Sequence, residues 1–386
     1  MSKISPPSET FCNLPWMHIA TNASGNFRPC CNSTPGKNFI KNPETGKPYK
    51  MGKVPLDKVW NSPDYVNLRK QMLAGERPEM CSRCWKEEDA GIESLRQAWM
   101  NRWLEDKEYT ETPELNIVYA DIRLGNMCNL KCRMCGSWAS NSWFEEELAL
   151  AKIDKRYEKN SNPIPLQQYG LEDLRNMLPH LKDVKRIDFK GGEPMMAKHH
   201  NQFLQWLIEE DMTDVELFYT TNGTVVNPKI LNLLKQFKRV SICFSIEGTG
   251  ELYRYIRGGK YQLEDFEKTL AMYNELENVQ IMFNVTLQNY NVFNLPDLHF
   301  FLHEMEDKYN ALDKTVQETE KDENLAYNRT YMIFEDYSTY NQEILMNKEK
   351  IIELGYPEFG KLFSLTTFEG DKVRNSLIPQ RVKPTA

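Results

Sequence analysis

Six stretches carry apolar residues at alternate positions or in short runs: Asn116 to Leu124, Val184 to Lys190, Val215 to Asn222, Arg239 to Ile246, Val279 to Leu287 and Thr330 to Glu335. Between them lie segments with helical spacing, at Trp143 to Arg156, His200 to Glu210, Pro228 to Phe237, Leu263 to Leu276 and Pro296 to Tyr309. Strand and helix in alternation predict a parallel α/β sheet or barrel. A parallel strand covered by helices is apolar on both faces. One face here is not. With period two, Asp121 and Arg123 share a face of the first strand, Asp188 and Lys190 of the second, and Thr220 and Asn222 of the third. Ser241, Cys243 and Ser245 follow on the fourth, and Asn284 and Thr286 on the fifth. A barrel with so polar an interior is built to hold something polar.

Ahead of these strands, Trp16 to Ala20 and Asn26 to Cys30 predict a hairpin turning at Asn22 to Gly25. Val59, Tyr65, Leu68 and Met72 mark a helix that ends at Gly75, and Glu93 to Glu105 predicts another before a charged connector. The expected division is a cysteine-bearing unit over 1–90, a helical linker over 91–114, a barrel over 115–337 and a C-terminal helix and tail over 338–386. Within these, Asp313 to Asn328 reads as a solvated insertion, Thr339 to Gly355 as an amphipathic helix and Val373 to Ala386 as a tail. The net charge of −7 comes without a Lys/Arg-rich run, which speaks against a nucleic-acid partner. No apolar run suits a membrane span or signal peptide, so a cytoplasmic protein is expected.

The nine cysteines change the picture most. An odd number that includes Cys-x-x-Cys pairs reads, in a reducing compartment, as metal ligands rather than disulfides. Cys128, Cys132 and Cys135 follow the first strand, and three thiolates leave one iron of a 4Fe-4S cluster open to a non-protein ligand. Zinc is the alternative, but it wants a fourth ligand close by. A second group comprises Cys12, Cys30, Cys31, Cys81 and Cys84. Neighbours on a strand face opposite ways, so Cys30 and Cys31 do not both serve one centre without a bulge. A four-cysteine zinc site is open for this group.

The run Cys128-Asn-Leu-Lys-Cys132-Arg-Met-Cys135 resembles the radical S-adenosylmethionine (SAM) superfamily. Cys12, Gly25, Cys30, Val59-Trp60-Asn61-Ser62 and Cys81-Ser-Arg-Cys84 resemble the SPASM/twitch auxiliary-cluster domain, here ahead of the barrel instead of behind it. The resemblance implies a partial (β/α)6 TIM-like barrel preceded by a small α+β domain. It implies a SAM-binding 4Fe-4S cluster on Cys128, Cys132 and Cys135, and an auxiliary 4Fe-4S cluster on Cys12, Cys30, Cys81 and Cys84. Gly191-Gly192-Glu193-Pro194 resembles the motif that binds the SAM amino group. Asn222, Ser245, Glu247 and Arg257 resemble further SAM-contacting positions, and Met134 stands where an aromatic often lies near the adenine. A reductant such as flavodoxin or ferredoxin is implied.

The activity implied is reductive cleavage of SAM to a 5′-deoxyadenosyl radical that abstracts hydrogen from a substrate, with a peptide as the leading expectation. The alternatives are small-molecule dehydrogenation or epimerisation, and a non-catalytic iron-sulfur electron carrier. Cys243 is a candidate hydrogen donor, or else a small core residue.

Overall fold

The computed structural model describes residues 5–33, 38–91, 93–153, 163–288, 290–309 and 332–336. The hairpin forms as β1 (His18–Thr21) and β2 (Phe27–Arg28). The six alternating stretches form β3 (Tyr119–Arg123), β4 (Arg186–Lys190), β5 (Glu216–Thr221), β6 (Arg239–Ser245), β7 (Val279–Leu287) and β8 (Met332–Asp336). Neighbours from β3 to β8 are all parallel. The order β2-β1-β3-β4-β5-β6-β7-β8 does not close, which makes a partial barrel.

Helices occupy the expected segments, at Phe144–Ile153, His200–Glu209, Pro228–Leu234, Leu263–Asn274 and Leu295–Tyr309. The linker helix is Leu95–Trp103, started by a capping box between Ser94 and Gln97. Among the described residues three α-helices escape the periodicity argument: Ser82–Asp89 and Gly250–Arg257, where cysteine or arginine-glycine chemistry dominates the sequence, and Leu171–Arg175, which is too short to show a period. The insertion at Asp313 to Asn328, the helix at Thr339 to Gly355 and the tail from Val373 lie outside the described residues.

The cysteine-bearing unit and the barrel share one sheet. Strand β1 pairs in parallel with β3, His18 opposite Tyr119 and Ala20 opposite Asp121, so the hairpin covers what would be the barrel's open edge. The His18 and Tyr119 rings stack at 4.1 Å, and Trp99 of the linker helix packs on Tyr119 at 4.6 Å. The connector after that helix is tied down too. Trp16 donates to the Thr110 carbonyl (2.6 Å), Trp60 to that of Glu114 (3.2 Å), and buried Arg69 to those of Pro15 (2.8 Å) and Glu111 (3.3 Å).

Register confirms the polar interior. Asp121 pairs with Asp188, Asp188 with Phe218, Phe218 with Ser241, and Ser241 with Gln280. One step toward the strand ends, Arg123 pairs with Lys190, Thr220 with Cys243, and Cys243 with Met282, and a step further Ser245 pairs with Asn284. The opposite face buries Ile122, Ile187, Phe189, Leu217, Tyr219, Ile242, Phe244, Phe283 and Val285 in the main core. The interior is not uniform. Its charged half spans β3 to β5, where Arg186 bonds Asp188 (2.6 Å) and Glu216 (2.7 Å), and Lys190 bonds Asp121 (2.9 Å) and Asp188 (3.1 Å). The half under β6 and β7 carries neutral Ser241, Cys243, Ser245, Asn284 and Thr286.

Candidate active site

The three-cysteine loop leaves β3 at its carboxyl end, where ligands bind in α/β sheets and barrels. Its backbone is pinned from two sides. Asn141 Oδ1 accepts from the Cys128 N–H (3.0 Å), Ser142 donates to the Cys128 carbonyl (2.7 Å), Ser140 to that of Leu130 (2.6 Å), and Trp143 to that of Cys132 (3.2 Å). From the Gly250–Arg257 helix, the Ile256 carbonyl accepts from the Arg133 N–H (2.7 Å). Gly258, at φ +63°, ends that helix against the loop, and a Cβ there would lie 2.1 Å from the Lys131 oxygen. Its place in the Arg-Gly-Gly run is explained by this close approach.

Asn222, just past β5, and Arg257, on the Gly250–Arg257 helix, lie beside these sulfurs. Asn222 Nδ2 donates to Cys128 Sγ (3.6 Å) and to Asn129 Oδ1 (3.0 Å). Arg257 is buried, bonds Glu247 (3.0 Å), and keeps its Nε without a hydrogen-bond partner. Burial acts to lower the Arg257 pKa, but Cys132 and Glu247 together raise it above the ordinary value. A hydrogen bond from Cys135 pulls the Cys132 thiol down against its burial, with Arg257 adding to the effect. Ser245 ends β6 on the inner face, and Met134 is half-buried in the loop.

Glu193 follows β4 at the same mouth. Its carboxylate is 1% exposed and accepts three hydrogen bonds from the protein: Oε1 accepts from Thr221 Oγ1 (2.8 Å) and the Met195 N–H (3.1 Å), and Oε2 from the Asn222 N–H (2.7 Å). It braces the loop that carries Asn222. Burial raises its pKa, and these donors oppose the rise. Gly191 and Gly192 likewise serve loop packing, since a Cβ on Gly192 would lie 2.1 Å from the Met127 oxygen. Cys243 is 1% exposed on the inner face, between Thr220 and Met282 in register.

The second cysteine group gathers Cys12, Cys30, Cys81 and Cys84. Burial raises the Cys30 pKa, and so do nearby Cys31, Cys81, Cys84 and Cys12. Cys12, raised first by burial, is lifted further by Cys81 and Cys84. Cys31 turns the other way. Its Sγ lies 3.9 Å from Tyr119 Oη, and burial followed by Asp121 raises it to about 11. Cys30 and Cys31 lie past the end of β2, in a turn, and their thiols have different neighbours. His18 fixes this bend: Nδ1–H donates to the Tyr119 carbonyl (3.1 Å) and Nε2 accepts from the Cys31 N–H (3.3 Å). That is a neutral imidazole, and burial holds its pKa down at about 4.

Arg96, which carried no sequence signal, joins the pieces by bonding Glu88 twice (2.6 and 2.8 Å) and the Phe11 carbonyl beside Cys12 (2.6 Å). Among the described residues no three His, Cys, Asp or Glu side chains converge as a single metal ion requires. A 4Fe-4S cubane, with its irons at four alternate corners, holds its thiolates farther apart than a lone ion does. The donor sets fit such clusters: three thiols beside Asn222 and Arg257 leave one iron without a protein ligand, and four at the second centre leave none.

Comparison with known proteins agrees. Residues 122–292 match the Radical SAM superfamily and residues 12–85 an iron-sulfur cluster-binding domain, SPASM. The radical SAM cyclopropyl synthase TigE of Paramaledivibacter caminithermalis is 26% identical over 167 residues, 42% of this chain and 34% of that protein. The Fe-coproporphyrin III synthase of Methanosarcina barkeri is 25% identical over 177 residues, 46% of this chain and 39% of that one. The matches span little more than a third of these relatives' length. Among solved structures, Streptococcus suis SuiB bound to its precursor peptide SuiA aligns over 69% of this chain and 64% of its own, at 14% identity and a TM-score of 0.38. None of the described helices is long and apolar enough to cross a membrane. With the SPASM match ahead of the barrel match, and 4Fe-4S clusters and SAM as the cofactors these domains imply, the chain carries a Radical SAM superfamily domain over residues 122–292 preceded by a SPASM iron-sulfur domain over residues 12–85.

Proposed function

We propose that the chain is an enzyme that abstracts a hydrogen atom from a peptide held in the polar half-barrel. The observation that carries this reading is the convergence of Cys128, Cys132 and Cys135 with Asn222 and Arg257 at the mouth of an interior lined by Asp121, Lys190, Ser245 and Asn284. The cluster that Cys128, Cys132 and Cys135 would hold, together with bound SAM and one electron, would supply the radical chemistry that abstracts hydrogen. The chain's own part is positional. Asn222 Nδ2, held by the Glu193 brace, keeps its donor on Cys128 Sγ. Arg257, neutralised by Glu247, offers its remaining Nε–H to a carboxylate such as that of methionine. The walls of β3 to β7 exclude water and stray hydrogen donors. A flavodoxin or ferredoxin supplies the electron.

The test is anaerobic reduction of the reconstituted protein with SAM. Formation of 5′-deoxyadenosine supports the enzyme reading, and deuterium transfer into it from a labelled peptide supports the substrate. Reducible clusters without any SAM cleavage would leave an electron carrier.

A further inference from the structure

Arg28 is 5% exposed on β2, two residues before Cys30. Its guanidinium is folded into the turn that carries that cysteine. Nε donates to Ser33 Oγ (3.2 Å) and Nη2 to the Ser33 carbonyl, while Ser33 Oγ and N–H donate to the Cys30 carbonyl (3.1 and 3.3 Å). Among the described residues no carboxylate forms an ion pair with Arg28, in contrast to Arg96 with Glu88, Arg186 with Asp188 and Arg257 with Glu247. Arg69, also buried without a carboxylate, lies over the Trp60 and Tyr65 rings at 4.8 and 5.2 Å. Arg28 has no such ring against it among the described residues, and the charged groups that act on it from a distance, Arg123 against its charge and Asp121 in favour of it, oppose each other, while Cys30 favours it. A buried charge needs an opposite one.

We propose that Arg28 is the counterion of the second cysteine centre and raises the reduction potential of the cluster held there. The inference rests on the reading that Cys12, Cys30, Cys81 and Cys84 hold a 4Fe-4S cluster. Four thiolates make such a cluster net negative, and reduction adds one further negative charge. A fixed positive charge locked to the Cys30 turn therefore favours the reduced form, and net charge and hydrogen bonding are what set these potentials. A centre poised in this way accepts an electron; a purely structural brace has no use for the arginine's charge.

The experiment is a redox titration of the full-length protein with both clusters reconstituted, followed by electron paramagnetic resonance. The first centre, recognised by its response to SAM, is the internal reference. Arg28→Gln is expected to keep its iron and to lower the second cluster's reduced-to-oxidised ratio at fixed potential about tenfold, which is 59 mV for a one-electron couple. Arg28→Lys, which keeps the charge, should stay within about threefold of wild type, well inside that tenfold step. An unchanged potential in Arg28→Gln, or equal shifts in both variants, overturns the proposal. Should Arg28→Gln lose its iron, the metal-free proteins decide: Arg28→Met, freed of an unpaired buried charge, should melt above wild type, and a lower melting point overturns the proposal. Wild type binding only about four irons would sink the second cluster itself, an outcome distinct from a cluster whose potential ignores Arg28.

Discussion

Replacing Glu193 tests whether it touches SAM or holds Asn222. The carboxylate accepts three hydrogen bonds, from Thr221 Oγ1, the Asn222 N–H and the Met195 N–H, at 2.7 to 3.1 Å. Glu193→Ala removes all three acceptors. The hydroxyl can turn to another partner but the two N–H groups cannot, and each stranded donor costs about 1–3 kcal/mol. The sum, about 2–6 kcal/mol, is a large part of a typical folding free energy of about 5–15 kcal/mol. Ala is therefore a lesion of stability. Glu193→Gln is the informative change: its oxygen can keep Thr221 and Met195, while its amide group faces the Asn222 N–H donor to donor. We expect a loss of about 1–3 kcal/mol in denaturant unfolding. SAM affinity, read from the cluster spectrum, should fall because Asn222 shifts from Cys128. In a double-mutant cycle with Asn222→Ala the two affinity effects should overlap, since both act through one side chain. Additive effects, or an affinity loss with unchanged stability, would refute the brace and return Glu193 to direct contact with SAM.

Three further outcomes are expected. Cys30→Ala should lose about half of roughly eight bound irons, whereas Cys31→Ala, whose thiol faces Tyr119, should lose none; equal losses would show that the two side chains exchange roles. Buried His18 has its pKa lowered from 6.5 to about 4, so the unfolded state binds the extra proton in that window and stability is lost as pH falls through it. The full contribution is about 3 kcal/mol, measurable as a flatter pH dependence of the metal-free His18→Gln unfolding midpoint below pH 6.5. Cys243→Ala should leave SAM cleavage intact; loss of solvent-derived deuterium from the product would identify Cys243 as the donor, and its retention would leave Cys243 as packing.

The strands and their polar face were legible because side-chain direction along a strand alternates with a fixed period. Asp121, Asp188, Ser241 and their row partners fall on one face in any parallel register that buries the other. The pairing of β1 with β3 was not legible: it joins His18 to Tyr119 across the whole cysteine-bearing unit, and no local pattern specifies so distant a neighbour. Nor were the jobs of single polar residues. Nothing local shows that Thr221 and Asn222 donate to Glu193, and Arg28 and Arg96 look like any arginines until burial distinguishes them.

That unforeseen pairing joins the two cysteine centres to one interior. The first leaves β3 at its end, and the second hangs on the hairpin whose β1 lies directly beside β3. From Cys31, next to Cys30, a run of polar contacts enters the barrel: Tyr119 Oη lies 3.9 Å from Cys31 Sγ and donates to Asp188 (2.9 Å), and Lys190 joins Asp188 (3.1 Å) to Asp121 (2.9 Å). Each member is buried or nearly so, and each charge has an opposite within bonding distance, which lets the run persist away from water. Were the cysteine-bearing unit an independent bead on a linker, nothing would hold this geometry. With β1 as a strand of the barrel's own sheet, the three-cysteine loop, the charged half and the Arg28-flanked cysteines are all attached to neighbouring strands of one sheet.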